Sequence, residues 1–99
     1  MKSELGLTKD IEEKVISFLK SCGAIKILVF GSYVRGEATP ESDLDIIVEF
    51  GKNISLLDLV GFEMELSEQL GIKVELLTEK SISPYIIEDV LAEAKVIYS

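Results

Sequence analysis

An α/β fold of the α+β kind, a small mixed β-sheet backed by helices, is predicted by three features of this chain. Apolar residues recur at helical spacing in three segments, and short apolar runs too brief for helices lie around them. Glycines or capping residues stand at most of the junctions. At 99 residues the chain reads as one domain spanning residues 1–99, with enough material for a single core.

Thr8 is placed to cap a first helix carrying Ile11, Val15, Phe18 and Leu19, with Asp10 and Glu12 near its positive end and Gly23 as its stop. Ile25 to Phe30 is rich in β-branched residues and reads as a central strand buried on both faces. Leu44 to Phe50 is a second strand, whose period of two sends Leu44, Ile46 and Val48 to one face and Asp43, Asp45 and Ile47 to the other. The connection between these strands suits an antiparallel pair but is long for a hairpin loop, which marks it as functional.

Gly51 to Asn53 turns the chain out, and Ser55 with Asp58 resembles a capping box for a helix through Leu70 with the stripe Leu56, Leu59, Phe62, Leu66 and Leu70. Gly71 ends that helix, and Ile72 to Leu77 forms a third strand in which Glu75 is an acid among apolar neighbours. Ser83-Pro84 is expected to supply the N-cap and first-turn proline of a last helix carrying Ile87, Val90, Leu91 and Ala94. Lys95 to Tyr98 follows as a short edge strand.

Composition narrows the function. The formal net charge is −8, with 18 acidic against 10 basic residues, so a surface that grips nucleic acid is disfavoured and an encounter with a basic protein is favoured. One cysteine, Cys22, excludes an internal disulfide, and the absence of histidine removes Cys-His and Ser-His-Asp chemistry and the usual zinc ligands. Cys22 reads as a small apolar residue near a helix end. The chain has no run of 18 apolar residues, and its start, Met1 to Gly6, is short and polar, so neither a membrane span nor a signal peptide is expected and the cytoplasm is the default compartment.

Chemistry concentrates between residues 31 and 45. Gly31 permits a sharp turn and close approach of a phosphate, and Ser32 offers an N–H and a hydroxyl to phosphate oxygens; a short helix from Ser32 would point its N-terminus at such a ligand. Asp43 and Asp45 share a strand face about 7 Å apart, near enough to converge on divalent ions. Leu44 and Ile46 to Val48 make this a core strand, where two unpaired negative charges would be costly without a cation. Arg35 can reach a triphosphate or pair with Asp43 or Glu41, Gly36 reads as a position of positive φ, and Tyr33 either packs locally or borders a base.

Gly31-Ser32, ten residues, then Asp43-Leu44-Asp45 resembles the signature of the polymerase-β-type nucleotidyltransferase superfamily. With Arg35-Gly36, Ala38 and Ser42 added, the chain is most similar to the minimal nucleotidyltransferases, and the resemblance spans nearly its whole length. It implies a nucleotidyltransferase fold, Asp43 and Asp45 on Mg²⁺ and the triphosphate of ATP, and Gly31 and Ser32 on the phosphates. The family's third acid is an aspartate, and Glu75 stands at the matching position, where it is expected to join the metal and take a proton from the attacking hydroxyl.

The resemblance further implies an antitoxin that transfers AMP to a tyrosine of a HEPN-domain toxin. The acceptor is expected to arrive as a separate molecule, since the nucleotide-binding half uses the whole chain. Two alternatives stand beside this reading: a catalytically weak binding module that neutralises the toxin by complex formation, and a small-molecule nucleotidyltransferase, whose acceptor normally needs an extra domain.

Overall fold

The computed structural model describes residues 6–99. Met1 to Leu5, part of the segment read above as lacking a signal peptide, lie outside the described residues.

Helix α1, Lys9–Ser21, begins where the Thr8 hydroxyl accepts the Ile11 N–H at 3.2 Å, and it buries Val15 and Leu19 completely. Cys22 caps its C-terminus, and Gly23 turns the chain at φ 99°. Strand β1, Ala24–Phe30, leads into a single helical turn, α2, Ser32–Arg35. Strand β2, Leu44–Phe50, pairs antiparallel with β1. Helix α3, Leu56–Leu70, starts from the Ser55 hydroxyl, which accepts the Asp58 N–H at 3.0 Å, and ends at left-handed Gly71. Strand β3, Val74–Leu77, runs parallel to β2; α4, Ile87–Glu93, follows, and β4, Lys95–Tyr98, pairs antiparallel with β1. The sheet order is β3-β2-β1-β4, so β4 is an edge strand as expected.

The main core lies between α1, α3 and one sheet face, where Leu19, Ile27, Val29, Leu44, Ile46 and Leu66 are fully buried. Each such side chain contributes about 1.5–3 kcal/mol relative to exposure. Phe62 from α3 meets Phe18 edge-on at 6.3 Å and Phe50 at 5.9 Å, tying both helices to the sheet.

Three sequence expectations need correction. Leu56 is 76% exposed and does not join the buried stripe. At 3.6 residues per turn it sits about 80° around the helix from Leu66, off the core-facing side. The third strand begins at Val74 and not Ile72, because Ile72 and Lys73 carry the chain from the Gly71 cap into the sheet. Ser83-Pro84 opens a turn in which the Ser83 hydroxyl accepts the Tyr85 N–H at 3.3 Å, but α4 proper begins at Ile87 with no side-chain cap, and Ala94 is already extended.

Strand β3 is the other edge, and α3 covers it. The Ser67 hydroxyl accepts the Val74 N–H and the Glu63 carboxylate accepts the Leu76 N–H, each at 2.8 Å, so the outward amides of a four-residue strand are satisfied. That clamp holds Glu75, between them, in register with Asp45.

The opposite sheet face carries Leu28, Phe30, Asp45, Ile47, Glu75 and Leu77, by strand alternation and register. Since β3 and β4 occupy opposite edges, the segment between them crosses the sheet, and α4 touches β1. Leu28 and Ile47 are nevertheless buried, at 5% and 1% exposure, away from the main core. Among the described residues, no helix is long and apolar enough to cross a membrane.

Candidate functional site

The site forms at one end of that second face, where β1 runs into the Gly31 turn. Gly31 has φ 84° and ψ −156°, a conformation open essentially to glycine alone, and a Cβ there would collide with the Asp45 carboxylate. Its carbonyl accepts the N–H groups of Val34 and Arg35 at 3.0 and 3.1 Å, closing the turn that follows Ser32. Gly36, at φ 76°, ends α2 in the left-handed region, as its place in the sequence predicts.

Asp43 is delivered by a second turn. The Ser42 hydroxyl accepts the Thr39 N–H at 2.8 Å, and the Thr39 carbonyl accepts the Ser42 N–H at 2.9 Å, so Thr39 to Ser42 is bracketed just before β2. Asp43 is partly buried at the mouth of the strand, and Tyr33, which packs into the core at 6% exposure, feels its charge. Burial first, and Asp43 second, raise the Tyr33 phenol above its ordinary range.

Asp45 faces Phe30 across β1 and Glu75 across β3. Its carboxyl is pushed up from the ordinary 3.8 to about 7, by burial first and then by Glu75, through a shared hydrogen bond and its charge, with Asp43 adding to the repulsion. Arg35 opposes the rise. This is the burial cost that the apolar flanks of the strand predicted, falling chiefly on Asp45. Glu75 itself is exposed.

The donor set is all carboxylate oxygen, which suits a hard divalent cation, and crowding of like charge is the condition such a cation relieves. Among the described residues, no group of three or more acids or cysteines forms a ready-made metal cage; Asp45 and Glu75 are partners across β2 and β3, and Asp43 acts on Asp45 through its charge.

Of the two uses expected of Arg35, the pairing with Asp43 or Glu41 is not made. Its Nε donates to Glu37 at 2.8 Å, and its Nη1 donates to both carboxylate oxygens of Glu93, at 3.0 and 3.1 Å. Glu93 also accepts the Gly31 N–H at 2.8 Å. The Gly31 amide first, and Arg35 second, hold the Glu93 carboxyl below the usual carboxylate range. Sequence reading passed over Glu93 because it lies 62 residues from Gly31, with no local motif around it. Beyond Asp45 on the same face, a groove of about 500 Å³ runs over Leu28 and Ile47, rimmed by Lys26, Lys52 and Lys80.

Comparison with known proteins places the fold in a family. The nucleotidyltransferase domain family matches residues 9–97. A Methanocaldococcus jannaschii relative, provisionally named a protein adenylyltransferase, is 46% identical over 85 residues, covering 86% of this chain and 91% of its own. Protein adenylyltransferase MntA of Thermococcus cleftensis is 45% identical over 71 residues, covering 72% of each chain. Among solved structures, a toxin–antitoxin with AMP-PNP superposes with a TM-score of 0.80 at 26% identity, over 89% of this chain and 73% of that one. A minimal nucleotidyltransferase, provisionally so named, superposes with a TM-score of 0.76 at 38% identity, over 88% and 89% of the two chains. Matched by the family model over residues 9–97 and by relatives at 45–46% identity, the chain belongs to the nucleotidyltransferase domain family, among the relatives of MntA.

Proposed function

We propose that this chain, as a single domain, transfers AMP from ATP in a magnesium-dependent reaction to a tyrosine hydroxyl of a HEPN-type toxin, and so acts as its antitoxin in the cytoplasm. The observation that carries the reading is the pairing of Asp45 with Glu75 across β2 and β3, directly beside the glycine turn that ends β1. The relative named protein adenylyltransferase MntA and the likeness to a toxin–antitoxin with AMP-PNP support it.

Asp43, Asp45 and Glu75 would hold magnesium, since their oxygens suit it and their mutual repulsion falls when it binds. Bound magnesium supplies charge neutralisation and a Lewis acid for in-line phosphoryl displacement. Gly31 and Ser32 seat the phosphates through backbone N–H groups and the serine hydroxyl, and Arg35 adds a guanidinium. Glu75 takes the proton of the attacking hydroxyl as the new oxygen–phosphorus bond forms at the α-phosphate. The bond from the α-phosphorus to the oxygen bridging it to the β-phosphate breaks, and pyrophosphate leaves. The net charge of −8 favours the encounter with a basic partner.

Incubation with labelled ATP, Mg²⁺ and the HEPN-domain protein encoded beside this chain, in parallel with Asp43→Ala, tests the proposal. Label on a partner tyrosine, lost in the variant, is the expected result. A toxin silenced in a stable complex without any label overturns the catalytic reading in favour of a binding module. Label on a small hydroxylated acceptor instead favours small-molecule transfer.

A further inference from the structure

The register of β1 with β4 brings a distant carboxylate to the glycine turn. Val29 pairs with Lys95 in an antiparallel ladder, so two residues further along β1 and two residues back from β4 bring Gly31 and Glu93 together. The Glu93 carboxylate then accepts the Gly31 N–H at 2.8 Å and the Arg35 Nη1 at 3.0 and 3.1 Å. These two donors, a backbone amide and a guanidinium, are among those that phosphate oxygens take. The Glu93 side chain is 32% exposed and that of Arg35 46%, so the contact is open to water and to an incoming anion.

We propose that Glu93 is a positioning residue of the nucleotide site: in the nucleotide-free protein it holds the Gly31 amide and Arg35, and the triphosphate displaces it to take both. This rests on the assignment of Gly31, Ser32 and Arg35 to phosphate binding. A carboxylate in this place presets the turn and the guanidinium but sets a cost on nucleotide entry, because a negative charge must leave as another arrives. A purely structural latch between α4 and the turn has the opposite consequence, since its loss would loosen the turn and weaken binding.

The two roles therefore differ in sign. Titration of wild type, Glu93→Gln and Glu93→Ala with ATP and Mg²⁺ by calorimetry, alongside thermal melts of each protein, reads that sign. Glutamine keeps an acceptor for the Gly31 N–H while removing the charge, so its fold is retained. Both variants are expected to bind ATP about five- to tenfold more tightly, with a correspondingly lower KM for ATP in transfer. Unchanged or weaker ATP binding by a folded Glu93→Gln, with wild type binding normally, overturns this inference alone. Failure of all three proteins to bind ATP overturns it together with the phosphate assignment on which it rests.

Discussion

Replacing Gly31 by alanine tests whether the turn and the Asp45 carboxylate share one space. Two separable effects follow from the structure. Gly31 sits at φ 84° and ψ −156°, where a non-glycine residue costs about 1–3 kcal/mol. A Cβ at this position also meets the Asp45 carboxylate, whose Cγ would lie 3.4 Å away and whose Oδ2 would lie nearer still. Forcing that carboxylate aside costs about 1–3 kcal/mol more. Gly36 is the control for backbone strain, since it has φ 76° and nothing within 4 Å of its would-be Cβ. Gly36→Ala should cost about 1–2 kcal/mol, and Gly31→Ala about 4 kcal/mol. Gly61, within α3 and equally unobstructed, should gain up to about 1 kcal/mol as alanine. Urea denaturation followed by circular dichroism measures all three. A double-mutant cycle with Asp45→Ala isolates the collision as a coupling of about 1–3 kcal/mol. If Gly31→Ala costs no more than Gly36→Ala, or if the cycle shows no coupling, the shared space is refuted.

Between about pH 4 and pH 7 the folded state keeps a proton on Asp45 that the unfolded chain releases, so the protein should lose stability as pH rises through that interval and level off above it. Thermal melts at pH 5 and pH 8 without divalent ions check this; Asp45→Asn should flatten the slope, and Mg²⁺ should restore stability at pH 8. Glu75→Gln should leave ATP binding intact while slowing transfer at least about 100-fold, measured by label transfer. The same change should also bring the Asp45 carboxyl back toward its ordinary range, because Glu75 follows only burial among the causes of its rise. Glu63→Ala leaves the Leu76 N–H without its partner at the sheet edge and should cost about 1–3 kcal/mol, with faster hydrogen exchange at that amide.

Local physics was legible in the residues themselves. Thr8 and Ser55 announced helix starts because a hydroxyl satisfies a free amide within three residues, and Gly36 and Gly71 announced turns because left-handed backbone excludes most side chains. Alternation along Leu44 to Val48 put Asp45 opposite the core, and its apolar flanks signalled that a charge there carries a burial cost. Helix α4 was less legible, because its start has no side-chain cap to mark it. Leu56 misled for a related reason: a leucine a few residues from the stripe looks periodic until the helical angle is followed over ten positions.

What the chain determined by itself was most of the elements and the spacing that sets the Gly31 turn beside the strand of Asp45, since these depend on neighbours close in sequence. What only the tertiary structure decided was how Glu75, expected from the resemblance, is held against Asp45, and that Glu93 reaches the turn at all. Glu75 meets Asp45 through a parallel ladder held at its edge by α3, and Glu93 meets Gly31 and Arg35 because the chain crosses the sheet before β4 pairs with β1. Such contacts arise from strand order and register, and a periodicity read along the chain carries no information about either.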